Sequence, residues 1–256
     1  ACVDVGSCPA RTVKAAITAV SVDPKGDGAG VVDAITEAER LDADHPIVAR
    51  QAAVYHLSHG RAQAGFSRLK PHLNALADDD EFLRLYAWGA QEIERPDLAV
   101  DAWRKGMAAA RTPESFATRL VTYAELQVQA AEAAKKAGKN DDARTRYLLA
   151  LTPYPTDGDR LRGLGGVLWA DGKTRMAEHV YRTAWRQDEH DTAALRSLLL
   201  LLQERGAYGQ ASRLLDGQDL DDPKLARVAQ DLRSMARAVE VEALRDAGRD
   251  AEALER

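Results

Sequence analysis

The sequence holds only two cysteines, Cys2 and Cys8, and none after them in its 256 residues. A multi-disulfide framework is therefore excluded for nearly the whole chain. The pair itself is open to three readings: one disulfide of an exported protein, two incidental thiols of a cytosolic chain, or a lipid anchor on Cys2 that would leave Cys8 unpaired. Aromatic residues are scarce, at 5%. No apolar run approaches the roughly 18 residues of a membrane span; the best is five leucines at 198–202. Basic residues do not dominate, with 35 Lys and Arg against 40 Asp and Glu. That balance gives no broad positive field, so nucleic acid is not an expected partner. Stretches of β-branched alternation are few, so no sheet is expected. A Gly-rich phosphate loop after a strand, a nucleophile elbow and the HExxH zinc motif are all missing. The chain is accordingly not expected to be an enzyme, and no cofactor is expected.

What is present is a period. Gly138, Gly172 and Gly206 lie 34 residues apart. Five residues after each comes an alanine, namely Ala143, Ala177 and Ala211; four further on stand Tyr147, Tyr181 and Leu215; three beyond those are Ala150, Ala184 and Gln218. Each unit reads as helix A, a tight turn, helix B and a short connection. The glycine ends helix A in the left-handed conformation that helix C-termini often need. The alanine lets helix A approach helix B, and the large residue one turn later fills the gap to the next unit. Proline at 155 and 223 marks entry into the following repeat, where a missing N–H costs nothing.

This pattern resembles the tetratricopeptide repeat. The signature positions in unit 192–225 are held by Leu195, Leu198, Leu199, Leu202, Gly206, Tyr208, Ala211, Leu215 and Pro223. Unit 158–191 matches through Leu161, Leu164, Gly165, Leu168, Gly172, Ala177, Tyr181 and Ala184, and departs at Glu189, where the family prefers proline. Unit 124–157 matches through Gly138, Ala143, Tyr147, Ala150 and Pro155, but has Gln127 where a large apolar residue is usual. The resemblance implies an all-α, right-handed superhelical solenoid of helix–turn–helix (TPR-like) repeats.

In chain order, residues 1–11 are read as irregular. A degenerate first unit covers 12–45, with a short helix at 12–22, a turn at 23–28 and a helix B at 31–41. The turn lacks the glutamate of a calcium loop, since the twelfth residue from Asp23 is Ala34. Units 46–79 and 80–113 follow, the first with Gly65 where the family has alanine, the second turning on Glu94-Arg95-Pro96-Asp97 without a glycine. Residues 114–123 break the phase; with no Gly or Pro over 114–137, they predict one extended helix and a bend or hinge. The three repeats of 124–225 come next. A long helix and an incomplete repeat occupy 226–256, and an end inside a hairpin suggests a fragment of a longer protein.

In the repeat family the second, fifth, ninth and twelfth positions of helix A line the concave groove. Carried onto this chain, the fifth position holds Arg50, Arg84, Val128, Arg162 and Arg196. The ninth and twelfth hold Val54, Leu57, Trp88, Gln91, Glu132, Lys135, Gly166, Trp169, Leu200 and Gln203. The expected groove residues are Arg50, Arg84, Trp88, Gln91, Arg162, Trp169, Arg196 and Gln203. Arginine offers a planar fork to carboxylates and tryptophan a flat apolar surface. The alternative is that these arginines pair with nearby acids, such as Arg84 with Glu81 or Asp80. The asparagines of the family's carboxylate clamp are missing, with Gln51, Val54, Leu85 and Trp88 at the matching places. His56, His59 and His72 could converge on a transition metal, but solvated or packed histidines are the plainer reading, so no metal is expected. Gly163, Gly165 and Gly166 are read as allowing close helix packing. The expected function is a protein-interaction scaffold holding a partner protein or peptide. The alternative is a periplasmic or outer-membrane arm of an exopolysaccharide-export machine that touches glycan or other subunits; a cytoplasmic location is the other option.

Overall fold

Among the described residues every helix A has a side-chain oxygen or ring nitrogen ready for its free N-terminal N–H groups, and the fold starts from these caps. The structure, a computed structural model, describes residues 29–216 and 221–254. The expectations for Cys2, Cys8, the helix at 12–22, the turn at 23–28 and Gln218 lie outside the described residues. Within them run α1 (Ala29–Asp42), α2 (Pro46–Ser58), α3 (Ala62–Leu69), α4 (Asp80–Glu92), α5 (Pro96–Ala109), α6 (Pro113–Lys136) and α7 (Asn140–Leu151). They are followed by α8 (Gly158–Ala170), α9 (Thr174–Gln187), α10 (Thr192–Glu204), α11 (Tyr208–Leu214), α12 (Pro223–Asp246) and α13 (Asp250–Leu254). No strand occurs among the described residues. Asp79, Asp157, Asp191 and Asp222 cap α4, α8, α10 and α12. His45 Nδ1 caps α2, and Thr112 Oγ1 accepts from Ser115 N at the start of α6.

The chain forms two compact units, which divide inside α6 after Ala130. The first unit carries a continuous core of Phe66, Leu69, Phe82, Leu83, Tyr86, Trp103, Tyr123 and Leu126. The second repeats a smaller motif. Ala143, Ala177 and Ala211 have no exposed surface, and Tyr147, Tyr181 and Leu215 are buried one turn later. This is the small-then-large alternation expected of helix B. Ala177→Trp should therefore overpack its hairpin and cost roughly 1–3 kcal/mol. A denaturant midpoint equal to the parent's would place Ala177 outside the seam.

The helix A turns close as the period requires. Gly60, Gly138, Gly172, Gly206 and Gly248 have φ between 68° and 71°, and Glu94 takes the same role at φ 58°. A side chain in that conformation costs about 1–2 kcal/mol; the hairpin of α4 and α5 carries that cost where its neighbours carry glycine. Inside α8, Gly163 and Gly165 make room for rings. A Cβ on Gly165 would lie 2.6 Å from Cε1 of Tyr181, and one on Gly163 would enter the ring of Tyr147. Gly65 stands in place of alanine to admit a leucine and a carbonyl: a Cβ there would lie 2.8 Å from Leu57 Cγ and 3.0 Å from Ala53 O.

The hairpins thus have the tetratricopeptide architecture, with one variation that occurs twice. Helices α2, α4, α8 and α10 have 13 residues each, whereas α6 and α12 have 24. Both long helices begin with proline, and α12 starts at Pro223, three residues before the position read from the sequence. The first turns of α6 are bolted down by Arg119, which is 2% exposed. Its Nε donates to Asp80 Oδ1 at 2.7 Å, Nη1 to Gly106 O at 2.5 Å, and Nη2 to Asp78 O at 2.9 Å and Asp78 Oδ1 at 3.2 Å. The helix is continuous through 114–123. No described helix is long and apolar enough to cross a membrane.

Candidate functional site

The fifth position of helix A is where arginine recurs, and its chemistry differs from repeat to repeat. Arg50 Nη1 donates to Asp79 Oδ2 at 2.7 Å and its Nη2 to Glu81 at 3.0 Å. The other oxygen of Asp79 caps α4, accepting from Glu81 N and Phe82 N. One carboxylate therefore caps the start of a helix and holds the guanidinium of the preceding helix A, which its two oxygens allow. The second unit contains the same device. Arg162 donates to Asp191, whose Oδ1 accepts from Ala193 N at 3.0 Å and Ala194 N at 2.9 Å, and it also pairs with Asp159. In both cases arginine and capping aspartate are 29 residues apart.

The device is missing beside the two long helices. Twenty-nine residues beyond Arg84 stands Pro113, and the same distance beyond Arg196 stands Leu225. The alternative pairing of Arg84 with Glu81 or Asp80 does not form either: Asp80 accepts from Arg119 and Glu81 from Arg50. Arg84 is exposed and Arg196 half-buried, and neither has an ion pair or side-chain hydrogen bond among the described residues. At Val128 the arrangement is reversed: Asp157 waits 29 residues on, caps α8 and lies 3.9 Å from Arg160. The expected row of like arginines is thus two structural clamps and two unengaged guanidiniums.

The neighbouring wall positions sort in the same way. Trp88 Nε1 donates to Glu92 at 3.1 Å. Trp169 Nε1 donates to Glu204 at 2.6 Å, and its ring stands edge-on to Tyr181 at 6.4 Å. Gln91 donates to Gln129, and Gln203 Nε2 lies 3.8 Å from Met235 Sδ. Val54 is half-buried, while Leu57 is 4% exposed and packs inward against Gly65 and Gly89, so it does not line the wall. Glu132 accepts from the hydroxyl of Tyr147 and lies 3.8 Å from Lys135 Nζ. Burial, with Glu132 adding to it, pushes the Tyr147 phenol far above its usual range. Burial alone takes Tyr181 up to about 12. Leu200, one turn after Arg196 on α10, is exposed, as is Met235 on α12.

Met235 was not legible as a wall residue because the sequence loses phase after Leu225. Gly248 was the available signal. Counting back 13 residues from Gly206 gives Ala193, the second position of α10, and the same count from Gly248 gives Met235. The histidines do not form a centre. His59 Nδ1 lies 2.7 Å from Tyr55 O, and burial lowers the basicity of His56 beside Arg61. Among the described residues no three His, Cys, Asp or Glu side chains are placed to hold a metal.

No protein-family model matches the chain, and no curated protein is similar to it. Several solved structures are similar to the chain. One structure of MamA has a TM-score of 0.45 at 15% identity, covering 73% of this chain and 96% of its own. A second MamA structure gives 0.48 at 16%, covering 73% and 93%. YrrB, a TPR protein with an unusual peptide-binding site, gives 0.48 at 14%, covering 80% and 97%. The likeness is one of fold.

Proposed function

We propose that the chain is a non-catalytic scaffold that holds a partner protein or peptide against the helix A wall of its hairpins. The observation that carries this reading is local to the second unit. Arg196, without a carboxylate of its own, lies one turn from exposed Leu200, and Gln203 of the same helix reaches exposed Met235 of α12. A cation beside an apolar strip suits a segment with an acidic side chain next to an aliphatic or aromatic one. Stacked hairpins hold that wall in advance, so binding loses little to ordering it. Arg84 offers the same unengaged charge in the first unit. Arg50 and Arg162 hold the caps of the next helices, and their role is to keep the wall in register. Trp88 and Trp169 are half-buried and each indole N–H donates to a glutamate, so neither is the exposed ring that a glycan partner would call for.

Selection of a random peptide library on the purified protein tests this, followed by titration of the enriched peptides by fluorescence anisotropy. Enrichment of Asp or Glu beside an apolar residue is expected. Arg196→Glu should weaken those peptides about tenfold or more, as loss and reversal of a charge partner does. Arg162→Glu is a poor probe, because it also removes the clamp on Asp191. Failure to enrich any peptide, or equal affinity for Arg196→Glu and the parent, would remove the wall of the second unit as the binding surface.

A further inference from the structure

The second unit contains a cleft unrelated to the fifth-position arginines. It lies between α11 and the later part of α12, is open to solvent on one side and has a volume of about 580 Å³. Helix length creates it. A 13-residue helix starting at Pro223 would end at Met235, but α12 continues to Asp246. Its added turns run past α11, which has only seven residues.

Three arginines line this cleft, Arg213 from α11 and Arg233 and Arg237 from α12. Arg233 and Arg237 are four residues apart and share one helix face, where like charges repel. Among the described residues Glu240 is the one carboxylate of the lining, and it already has an interaction of its own. Arg213 and Arg237 have no ion pair or hydrogen bond among the described residues, and Arg233 reaches only Leu215 O at 3.5 Å. Several arginines elsewhere stand against a carboxylate, as at Arg50, Arg144, Arg162, Arg182 and Arg205. Here, among the described residues, three positive charges against one negative leave a formal excess of two, inside a chain of net charge −5.

A phosphate monoester carries about −1.5 to −2 near neutral pH and offers three acceptor oxygens, which matches that excess. Guanidinium forks bind such oxygens in pairs. The volume falls within the range of small-molecule sites, roughly 300–1,000 Å³. Tyr208 and Val239 also line the cleft and supply surface for the body of a ligand. We propose that the cleft between α11 and α12 binds a small phosphorylated molecule, its phosphate held by Arg213 and Arg237 with Arg233 behind them.

Isothermal titration at low ionic strength tests the site with inorganic phosphate, phenyl phosphate, inorganic sulfate and a phosphoserine peptide. Saturable binding of inorganic phosphate is expected, with tighter binding of phenyl phosphate through its ring. Arg213→Gln together with Arg237→Gln should weaken both at least about tenfold. Both side chains are exposed, and circular dichroism would confirm that the fold is kept. Val239→Glu, at a position 51% exposed, should have the same effect by placing a carboxylate in the cleft. It decides the matter if the double variant is damaged. No saturable heat with any probe, or equal heat with parent and Val239→Glu, would overturn the site. A phosphopeptide bound more tightly than phenyl phosphate would overturn the small-molecule assignment. None of these results bears on the helix A wall, so this site and the scaffold reading fail separately.

Discussion

Trp103→Ala is expected to lower the stability of the first unit by about 3–5 kcal/mol, as large aromatic truncations in cores do. Trp103 is 2% exposed and belongs to the core that runs from Ala53 to Ala130. It occupies the large position of helix B, four residues after Ala99, the place held in other repeats by Tyr147 and Tyr181. Two effects oppose each other. Its Nε1 is buried without a hydrogen-bond partner, a penalty of about 1–3 kcal/mol that the substitution relieves. The cavity left by an indole outweighs it, because Leu83 and Phe82 are fully buried around the same core and have little freedom to collapse inward. Trp103→Phe separates the two terms: it keeps most of the ring and removes the unpaired donor, so its cost should be clearly smaller. Guanidinium unfolding followed by circular dichroism measures both. Hydrogen exchange should show the loss concentrated in α4, α5 and the start of α6. A Trp103→Ala midpoint equal to the parent's would mean that the core of the first unit is not organised around this residue.

The second large effect is expected at Arg119. Replacing it by leucine should cost about 3 kcal/mol, in the lower part of the range for breaking buried ion pairs. The discount is for Asp78 and Asp80, whose side chains are 40% and 38% exposed and can be hydrated once the arginine is gone. What cannot be recovered in the same way is the set of backbone acceptors, Gly106 O and Asp78 O, which Arg119 satisfies. Arg119→Lys should recover only part of the loss, since a single ammonium cannot reach all the acceptors of a planar fork. Hydrogen exchange over residues 113–123 is the direct readout. Faster exchange there in Arg119→Leu is expected, and protection equal to the parent's would show that α6 is held in place by its apolar face alone.

Much of the architecture could be read before any coordinates. The 34-residue glycine spacing, the alanine five residues later and the tyrosine or leucine one turn on are local requirements of a helix end and a helix–helix contact. Gly138, Gly172 and Gly206 duly close their helices at positive φ. The uninterrupted run after Pro113 gave a single long helix for a similar reason, since nothing in it breaks the backbone ladder. The wall was legible only as a list of positions. Arg50, Arg84, Arg162 and Arg196 look alike in the sequence because each occupies the same place in its own helix.

Sequence by itself thus determined the all-helical class, the repeat length, the turn residues and the small-then-large seam, because each depends on residues within one hairpin. Tertiary structure alone decided which arginines are engaged, because their partner is the capping aspartate of the next helix A, 29 residues away. It decided too that Leu57 turns inward over Gly65 and that Arg119 bolts the start of α6. It placed Arg213 opposite Arg233 and Arg237 across a cleft that exists because α12 is longer than a standard helix A. Each of these depends on how one helix is stacked against another, and a spacing along the chain cannot state where a stacked neighbour ends.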